Sequence, residues 1–138
     1  MTLKPPSIPW CDVFGTQDVL MATGLHAWIC VLMMRGRWHA VRGDDRHPIQ
    51  RLALGDRQNC LAVAELWFQQ VAPTDLGIIK HWMVRPASPQ QLARLSPLLQ
   101  TDTPMTRYQA SARLQFQYNA ATLVRLVNTV ASVAGEVL

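Results

Sequence analysis

The longest apolar run in the chain, residues 19–34, constrains the fold more than any other feature of the sequence. A helix built from this run would be apolar on nearly every face, which is typical of a buried element. A membrane-spanning helix needs about 20 apolar residues, so the run is short for an anchor, although Arg35 and Arg37 follow it as they would follow one. We therefore expect a buried central helix that begins after a Thr16 cap and ends near Met34.

Two further helices are predicted between Asp56 and Pro86. Asp56 is a typical N-cap, and Pro73 would end the helix that Asp56 begins. An apolar stripe at helical spacing runs along this helix and consists of Cys60, Val63, Ala64, Trp67, Phe68 and Val71. Thr74 or Asp75 would then begin a shorter helix that ends at Pro86.

Two capping boxes mark the last two predicted helices. Residues 88–91 combine a serine cap, a proline at the first helical position and a glutamine three residues after the cap. Residues 106–109 repeat the pattern with threonine and glutamine. The second box opens the longest predicted helix, which would run from Arg107 to about Val133 and close at Gly135.

These signals predict an all-α fold, a compact orthogonal bundle of about five helices. Glycines and a proline interrupt residues 35–55, where we expect an irregular basic loop with a short strand over residues 37–42 and a helical turn over residues 49–54. An extended N-terminal arm over residues 1–15 would precede a single helical domain over residues 16–138.

The sequence lacks the usual signatures of metal, cofactor and nucleophile chemistry. Cys11, Cys30 and Cys60 are far apart, and the four histidines show no metal-ligand spacing. Phosphate-loop, dinucleotide-binding and nucleophile-elbow motifs are also absent from the sequence. We therefore expect reduced core thiols, a cytoplasmic location, no metal, no cofactor and no catalytic residue.

The distribution of charge favours contact with nucleic acid. The formal net charge is +4. Seven basic and seven acidic residues balance in residues 1–75, whereas six basic residues face two acidic ones in residues 76–138. An arginine-rich and acid-poor half is the kind of surface that binds phosphate groups. An ordinary solvated surface or a face for an acidic protein are the alternatives.

Arginines next to aromatic residues identify the candidate contacts. Arg35 and Arg37 flank Gly36 just before Trp38, and single-stranded nucleic acid binds such mixtures through its phosphates and bases. The start of the last helix would attract anions through its free amides. The predicted nucleic-acid-binding residues are Arg35, Arg37, Trp38, Arg85, Arg94, Arg107 and Arg113. Trp38 would serve as a stacking platform, with core packing as the alternative.

Two segments of the C-terminal half follow a recognisable pattern. Residues 82–92 match W-x-x-x-P-A-S-x-x-Q-L, and residues 106–111 match T-x-x-x-A-S, with Leu114, Phe116 and Asn119 after them. Both segments resemble the C-terminal region of bacterial DEAD/DEAH helicase-like proteins. The resemblance implies a DNA- or RNA-handling context and an accessory module without the helicase motor. A small, basic, helical chain also resembles the small subunits of CRISPR-type effector complexes.

Our leading hypothesis is a non-catalytic, nucleic-acid-binding helical subunit of a larger nucleoprotein complex. Such a subunit would contact the phosphate backbone of single-stranded DNA or RNA without sequence specificity. It would also bind other protein subunits, and we expect no contact with a membrane. The first alternative is an assembly subunit that contacts only proteins. The second alternative rests on Arg42 and His47, whose R-x-x-x-x-H spacing resembles the signature of all-helical HEPN-type ribonucleases. There His47 would act as general base or would orient the reacting groups, and Arg42 would steady the phosphate.

Overall fold

A β-sheet forms the centre of the fold. The computed structural model describes residues 8–137, with side chains for residues 8–128, and within them five antiparallel strands form one sheet in sequential order. The strands are β1 (Cys11–Asp12), β2 (Val19–Thr23), β3 (Ala27–Met34), β4 (Arg37–Asp44) and β5 (Gln50–Gly55). The prediction of an all-α helical bundle is therefore wrong, and the fold is a mixed α/β fold.

The apolar run over residues 19–34 forms β2 and β3 instead of one helix. The chain turns at residues 24–26, and Met21 pairs with Cys30 across the two strands. A strand that is buried on both faces is apolar at every position, so its composition matches that of a buried helix. Thr16 lies in the exposed loop before β2 and caps no helix. Among the described residues, no helix combines the length and apolar character needed to cross a membrane.

The predicted basic loop over residues 35–55 is a regular part of the sheet. Arg35 and Gly36 have φ angles of 55° and 76° and form the two-residue turn between β3 and β4. Positive φ at both positions matches the right-handed twist of the flanking strands. The strand predicted over residues 37–42 is confirmed within β4. The helical turn predicted over residues 49–54 is wrong, because β5 occupies Gln50–Gly55.

Four helices and one 3-10 turn follow the sheet within residues 8–137. They are α1 (Arg57–Val71), α2 (Asp75–Met83), α3 (Pro89–Arg94), the 3-10 turn Pro97–Leu99 and α4 (Arg107–Val137). The predicted caps Asp56, Ser88 and Thr106 are confirmed, whereas the predicted Thr16 cap is wrong and Thr74, which precedes α2, makes no capping hydrogen bond. Asp56 accepts a hydrogen bond from the Asn59 amide at 2.8 Å, and both capping boxes, at Ser88 and Thr106, are formed. The predicted end at Gly135 is wrong, because α4 continues to Val137.

The predicted N-terminal arm, residues 1–15, is described only from residue 8 onward. Ile8 is buried in the core, and the Trp10 indole N–H donates to Glu65 Oε1 at 2.7 Å. Two residues of this segment, Cys11 and Asp12, form β1 at the edge of the sheet. The described part of the arm is therefore attached to the body of the fold.

The sheet lies between α1 on one face and α4 on the other. Successive side chains of a strand point to opposite faces of the sheet. The side chains of β3 therefore alternate between two hydrophobic cores, one on each face of the sheet. Its residues in the core on the α4 side are Trp28, Cys30 and Leu32, and those on the α1 side are Ala27, Ile29 and Val31. The apolar stripe predicted for α1 is confirmed at Cys60, Ala64 and Phe68, which are buried against the sheet.

Candidate nucleic-acid interface

Four arginines lie around the β4–β5 side of the sheet. Arg35 in the turn between β3 and β4, Arg37 at the start of β4 and Arg51 on the edge strand β5 are exposed. Arg57 begins α1 beside them, with its guanidinium carbon 5.6 Å from the ring centroid of Trp38. We call Arg35, Arg37, Arg51 and Arg57 the hairpin surface. It contains two of the predicted residues, Arg35 and Arg37.

The guanidinium groups of the hairpin surface are free of carboxylate partners. Among the described residues, no carboxylate lies within ion-pair distance of any of the four. Two aspartates bind backbone amides: Asp56 caps α1, and Asp12 accepts from the amides of Gly15 and Gln17. The polar contact of Arg57 is with Gln17 Oε1, 3.5 Å from its Nη2 atom. These arginines therefore keep their donors available to an external anion.

His39 lies two residues after Arg37 on β4. Its side chain is buried, and neither ring nitrogen has a hydrogen-bond partner of normal geometry among the described residues. Burial lowers the pKa of His39, the Met34 backbone opposes this, and the positive charges of Arg51 and Arg37 lower it further.

Trp38 is not a bare stacking platform. Its side chain is half-buried and packs against the core on the α1 side, and Arg57 covers its ring. The group presented outward is therefore a guanidinium held on an indole. Sequence reasoning missed Arg57, although its place directly after the Asp56 cap was a usable signal. It also missed Arg51, because it assigned that residue to a helical turn.

A second group of arginines lies near the start of α4. The Arg107 amide donates to the Arg85 carbonyl oxygen at 2.7 Å. Gln91 Nε2 donates to Ser111 Oγ at 2.9 Å, which joins α3 to α4 and brings Arg94 to the same region. We call Arg85, Arg94 and Arg107 the helix-start group. Within the described residues, no hydrogen bond or ion pair links this group to the hairpin surface.

Arg113, the last predicted contact, lies inside the protein. Its side chain is only 8% exposed. Its Nη1 atom donates to the Leu99 carbonyl oxygen at 3.1 Å, and Nη2 donates to that of Asp12 at 3.3 Å. Six residues separate Arg113 from Arg107, so the two side chains point to different faces of α4. Arg113 is therefore not part of an exposed phosphate-binding surface.

The pair Arg42 and His47 holds a hairpin loop together. Asp44 lies between them, with its Oδ2 atom 3.4 Å from Arg42 Nη1 and its Oδ1 atom 3.0 Å from His47 Nδ1. Desolvation alone would raise the pKa of Asp44, but the amides of Arg46 and His47 and the His47 ring outweigh it, so this pKa is lowered. The resemblance to HEPN-type ribonucleases implied an all-helical fold, which the sheet contradicts.

A cavity of about 430 Å³ opens beside this loop, at the end of the sheet opposite the β3–β4 turn. Its charged and polar lining residues are His26, Asp44, Asp45, Arg46, His47 and Thr74. His26 Nδ1 lies 3.6 Å from Asp45 Oδ2, so both histidines face carboxylates of the same loop. Among the described residues, no group of three or more His, Cys, Asp or Glu side chains is placed to hold a metal ion.

The fold and these surfaces define a small α/β domain that exposes unpaired arginines. The profile of one family, the C-terminal domain of the mitochondrial helicase Irc3, matches residues 7–128, and the chain belongs to this family. The resemblance to a helicase C-terminal region is thus confirmed and covers most of the chain. The family is named for a mitochondrial helicase, so the bacterial part of that prediction is wrong.

Comparison with curated proteins and with solved structures gives no significant match. The cytoplasmic location and the absence of catalysis are not tested by the family match and stay predictions.

Proposed function

We propose that this chain is a helicase-associated accessory domain that holds nucleic acid by its phosphate backbone and performs no chemistry of its own. The hairpin surface carries the proposal, because its four exposed or half-exposed guanidinium groups have no carboxylate partner among the described residues. Membership of a helicase C-terminal family supports the helicase context.

The geometry of the hairpin surface suits backbone contact. Arginine presents a planar fork of donors that binds phosphate oxygens in pairs. Arg35 lies in the two-residue turn and Arg37 begins β4, and the turn joins two eight-residue strands, so the backbone positions of both arginines are fixed before binding. Trp38 orients Arg57 in the same way. Phosphate contacts carry no sequence information, so we expect binding that is independent of base sequence.

Fluorescence anisotropy with labelled single- and double-stranded DNA and RNA across a salt series tests the proposal. Four phosphate contacts predict a slope of log affinity against log salt of about −3 on a single strand. The double variant Arg35→Glu, Arg37→Glu should abolish most of this binding. Arg46→Glu is the matched control, because Arg46 is exposed at the opposite end of the sheet. Equal affinities of the double variant and the wild-type protein would refute the proposal.

A second candidate function, assembly without nucleic-acid contact, is favoured by two apolar side chains. Val84 is 81% exposed and Leu98 is 84% exposed, and both adjoin elements of the helix-start group. Apolar side chains that are exposed singly are ordinary, whereas exposed apolar side chains that form one patch with a polar rim fit a protein interface. Sedimentation of the domain with a helicase motor domain at high salt tests this candidate. A complex that survives high salt and depends on Val84 and Leu98, without any nucleic-acid binding, would favour it.

A further inference from the structure

The loop between β1 and β2 carries an exposed aromatic ring. Residues 14–18 are all exposed, and Phe14 is 45% exposed. The ring of Phe14 lies 5.4 Å from that of Phe116 on α4, at an interplanar angle of 89°. In a perpendicular pair the edge of one ring meets the face of the other. Phe116 therefore supports the Phe14 ring and leaves at least one of its faces uncovered.

Hydrogen bonds fix the backbone of the loop that carries Phe14. The Asp12 carboxylate accepts from the Gly15 amide at 3.0 Å and from the Gln17 amide at 3.2 Å. Both of these donors have positive φ angles, 77° and 67°, so the chain turns sharply on either side of Thr16. The ring is therefore held in place before any ligand arrives, which lowers the entropic cost of binding.

This loop lies at the same end of the sheet as the hairpin surface. The Asp18 carbonyl oxygen accepts from the amide of Met33, close to the β3–β4 turn, at 2.8 Å. Gln17 Oε1 accepts from Arg57 Nη2 at 3.5 Å, which connects the loop to the hairpin surface itself. Neighbouring strands lie about 4.8 Å apart, so β2, at the end of the loop, is roughly 10 Å from β4, which begins with Arg37. A few nucleotides of one strand span this distance.

The charge of the loop determines which part of a strand can meet it. Residues 13–18 include no basic residue, and Asp18 is exposed. This carboxylate repels a phosphate, whereas a neutral base stacks on an aromatic face. The hairpin surface offers the complementary chemistry, because it has unpaired guanidinium groups and its aromatic ring, Trp38, is covered by Arg57. Phosphates therefore suit the hairpin surface, and a base suits Phe14.

We propose that Phe14 is a stacking platform for an unpaired base of the strand that the hairpin surface holds by its phosphates. The inference rests on the proposed function and narrows its substrate class to single-stranded nucleic acid. Bases within a duplex are paired and stacked on one another, so their faces are not available to a side chain. Every base has such a face, so this contact adds affinity without adding sequence preference.

Fluorescence anisotropy with three labelled ligands tests the platform: oligo(dT), a strand of the same length made of abasic tetrahydrofuran units, and a duplex. The wild-type protein should bind oligo(dT) about fivefold to tenfold more tightly than the abasic strand. Phe14→Leu removes the flat ring but keeps an apolar contact with Phe116, and it should lose this advantage with an unchanged salt slope. On the abasic strand and on the duplex, the variant and the wild-type protein should bind equally.

Two further variants are the controls, and circular dichroism verifies that all three variants fold. Phe14→Trp retains a flat ring, so it should bind oligo(dT) at least as tightly as the wild-type protein. Tyr118 is 61% exposed and lies two residues after Phe116, hence about 200° around α4 from it. Tyr118→Leu removes an exposed ring that faces away from Phe14 and should leave the affinity for oligo(dT) unchanged.

The outcomes distinguish this inference from the proposed function. If the wild-type protein binds the abasic strand as tightly as oligo(dT), no base stacks and the inference is wrong, while the phosphate contacts stand. Unchanged binding of oligo(dT) by Phe14→Leu, or an equal loss on oligo(dT) and the abasic strand, would also overturn it. If instead the double variant Arg35→Glu, Arg37→Glu binds oligo(dT) as tightly as the wild-type protein, the proposed function fails and the inference fails with it.

Discussion

The indole of Trp28 packs directly on the backbone of Gly43, its partner across β3 and β4. A Cβ atom at position 43 would overlap the ring atoms Cε2 and Cζ2 of Trp28. Trp28 is nearly fully buried, so the ring has no open space into which to move. The missing side chain of Gly43 therefore makes room for the largest residue of the core on the α4 side of the sheet.

Gly43→Ala should accordingly destabilise the protein. Overpacking a tight core costs about 1–3 kcal/mol, and we expect the upper part of that range because the obstacle is a fixed ring. Urea unfolding followed by circular dichroism measures the change. Gly77→Ala is the control, since nothing lies within 4 Å of the added Cβ, and it should stabilise α2 by up to about 1 kcal/mol. Equal stability of Gly43→Ala and the wild-type protein would show that the sheet adjusts freely.

Asp75 connects α2 to the turn between β2 and β3. Its buried carboxylate accepts from the amides of His26 at 2.8 Å and Ala27 at 3.3 Å. Asp75→Ala removes the acceptor of both amides and should cost about 2–3 kcal/mol. Thr74→Ala is the matched control, because Thr74 makes no side-chain capping bond, and it should change stability by less than about 0.5 kcal/mol.

Hydrogen exchange gives a local readout of the same prediction. In Asp75→Ala the amides of His26 and Ala27 should exchange faster than in the wild-type protein, while those of β4 change only with global stability. If both amides kept their protection, another group would hold the turn.

His39 should make the stability of the protein depend on pH. Burial lowers its pKa in the folded state below 6.5, and the positive charges of Arg51 and Arg37 add to this effect. As pH falls below 6.5, the unfolded chain takes up a proton that the folded protein rejects, so stability decreases. One such proton contributes at most about 1.4 kcal/mol per pH unit. The loss of stability ends once the pH is below the pKa of His39 in the folded protein.

Urea unfolding between pH 7.5 and pH 5.5 measures this slope, on the wild-type protein and on His39→Leu. The variant should lose the His39 contribution and show a flatter profile. His81→Gln controls for the loss of an exposed histidine. Parallel profiles for wild type and His39→Leu would mean that His39 accepts a proton in the folded state as readily as in the unfolded one.

Local signals in the sequence located the starts of α1, α3 and α4 correctly, but they placed a helix after Thr16 where the structure has strands, and they did not determine the class of the fold. Asp56, Ser88 and Thr106 were identified because a cap depends on hydrogen bonds within three residues. The run over residues 19–34 was misassigned because burial on both sides removes the alternation that identifies a strand. Most strand pairing depends on residues far apart in the chain. For the pairing of β3 with β4, the local signal was the turn at Arg35 and Gly36.

The candidate site was predictable only in part, for a related reason. Arg35 lies in the turn between β3 and β4 and Arg37 directly follows that turn, so the prediction that both are exposed required no tertiary contact. Arg113 is buried against the 3-10 turn and β1. It bonds Leu99 and Asp12 there, which precede it in the chain by 14 and 101 residues. The pairing of Arg57 with Trp38 likewise requires the packing of α1 on the sheet.

Trp38 and Arg57 should contribute to nucleic-acid binding in different ways. Arg57→Gln removes one positive charge, so the salt slope on a single strand should become shallower by about 0.7. Trp38→Leu keeps every charge but removes the ring that orients Arg57, so affinity should fall several-fold with the salt slope unchanged. Circular dichroism should verify that both variants are folded, because Trp38 also packs against the core. Anisotropy titrations at four or more salt concentrations separate the two effects. A shallower slope in Trp38→Leu would mean that Arg57 contacts phosphate only when it is held on the indole.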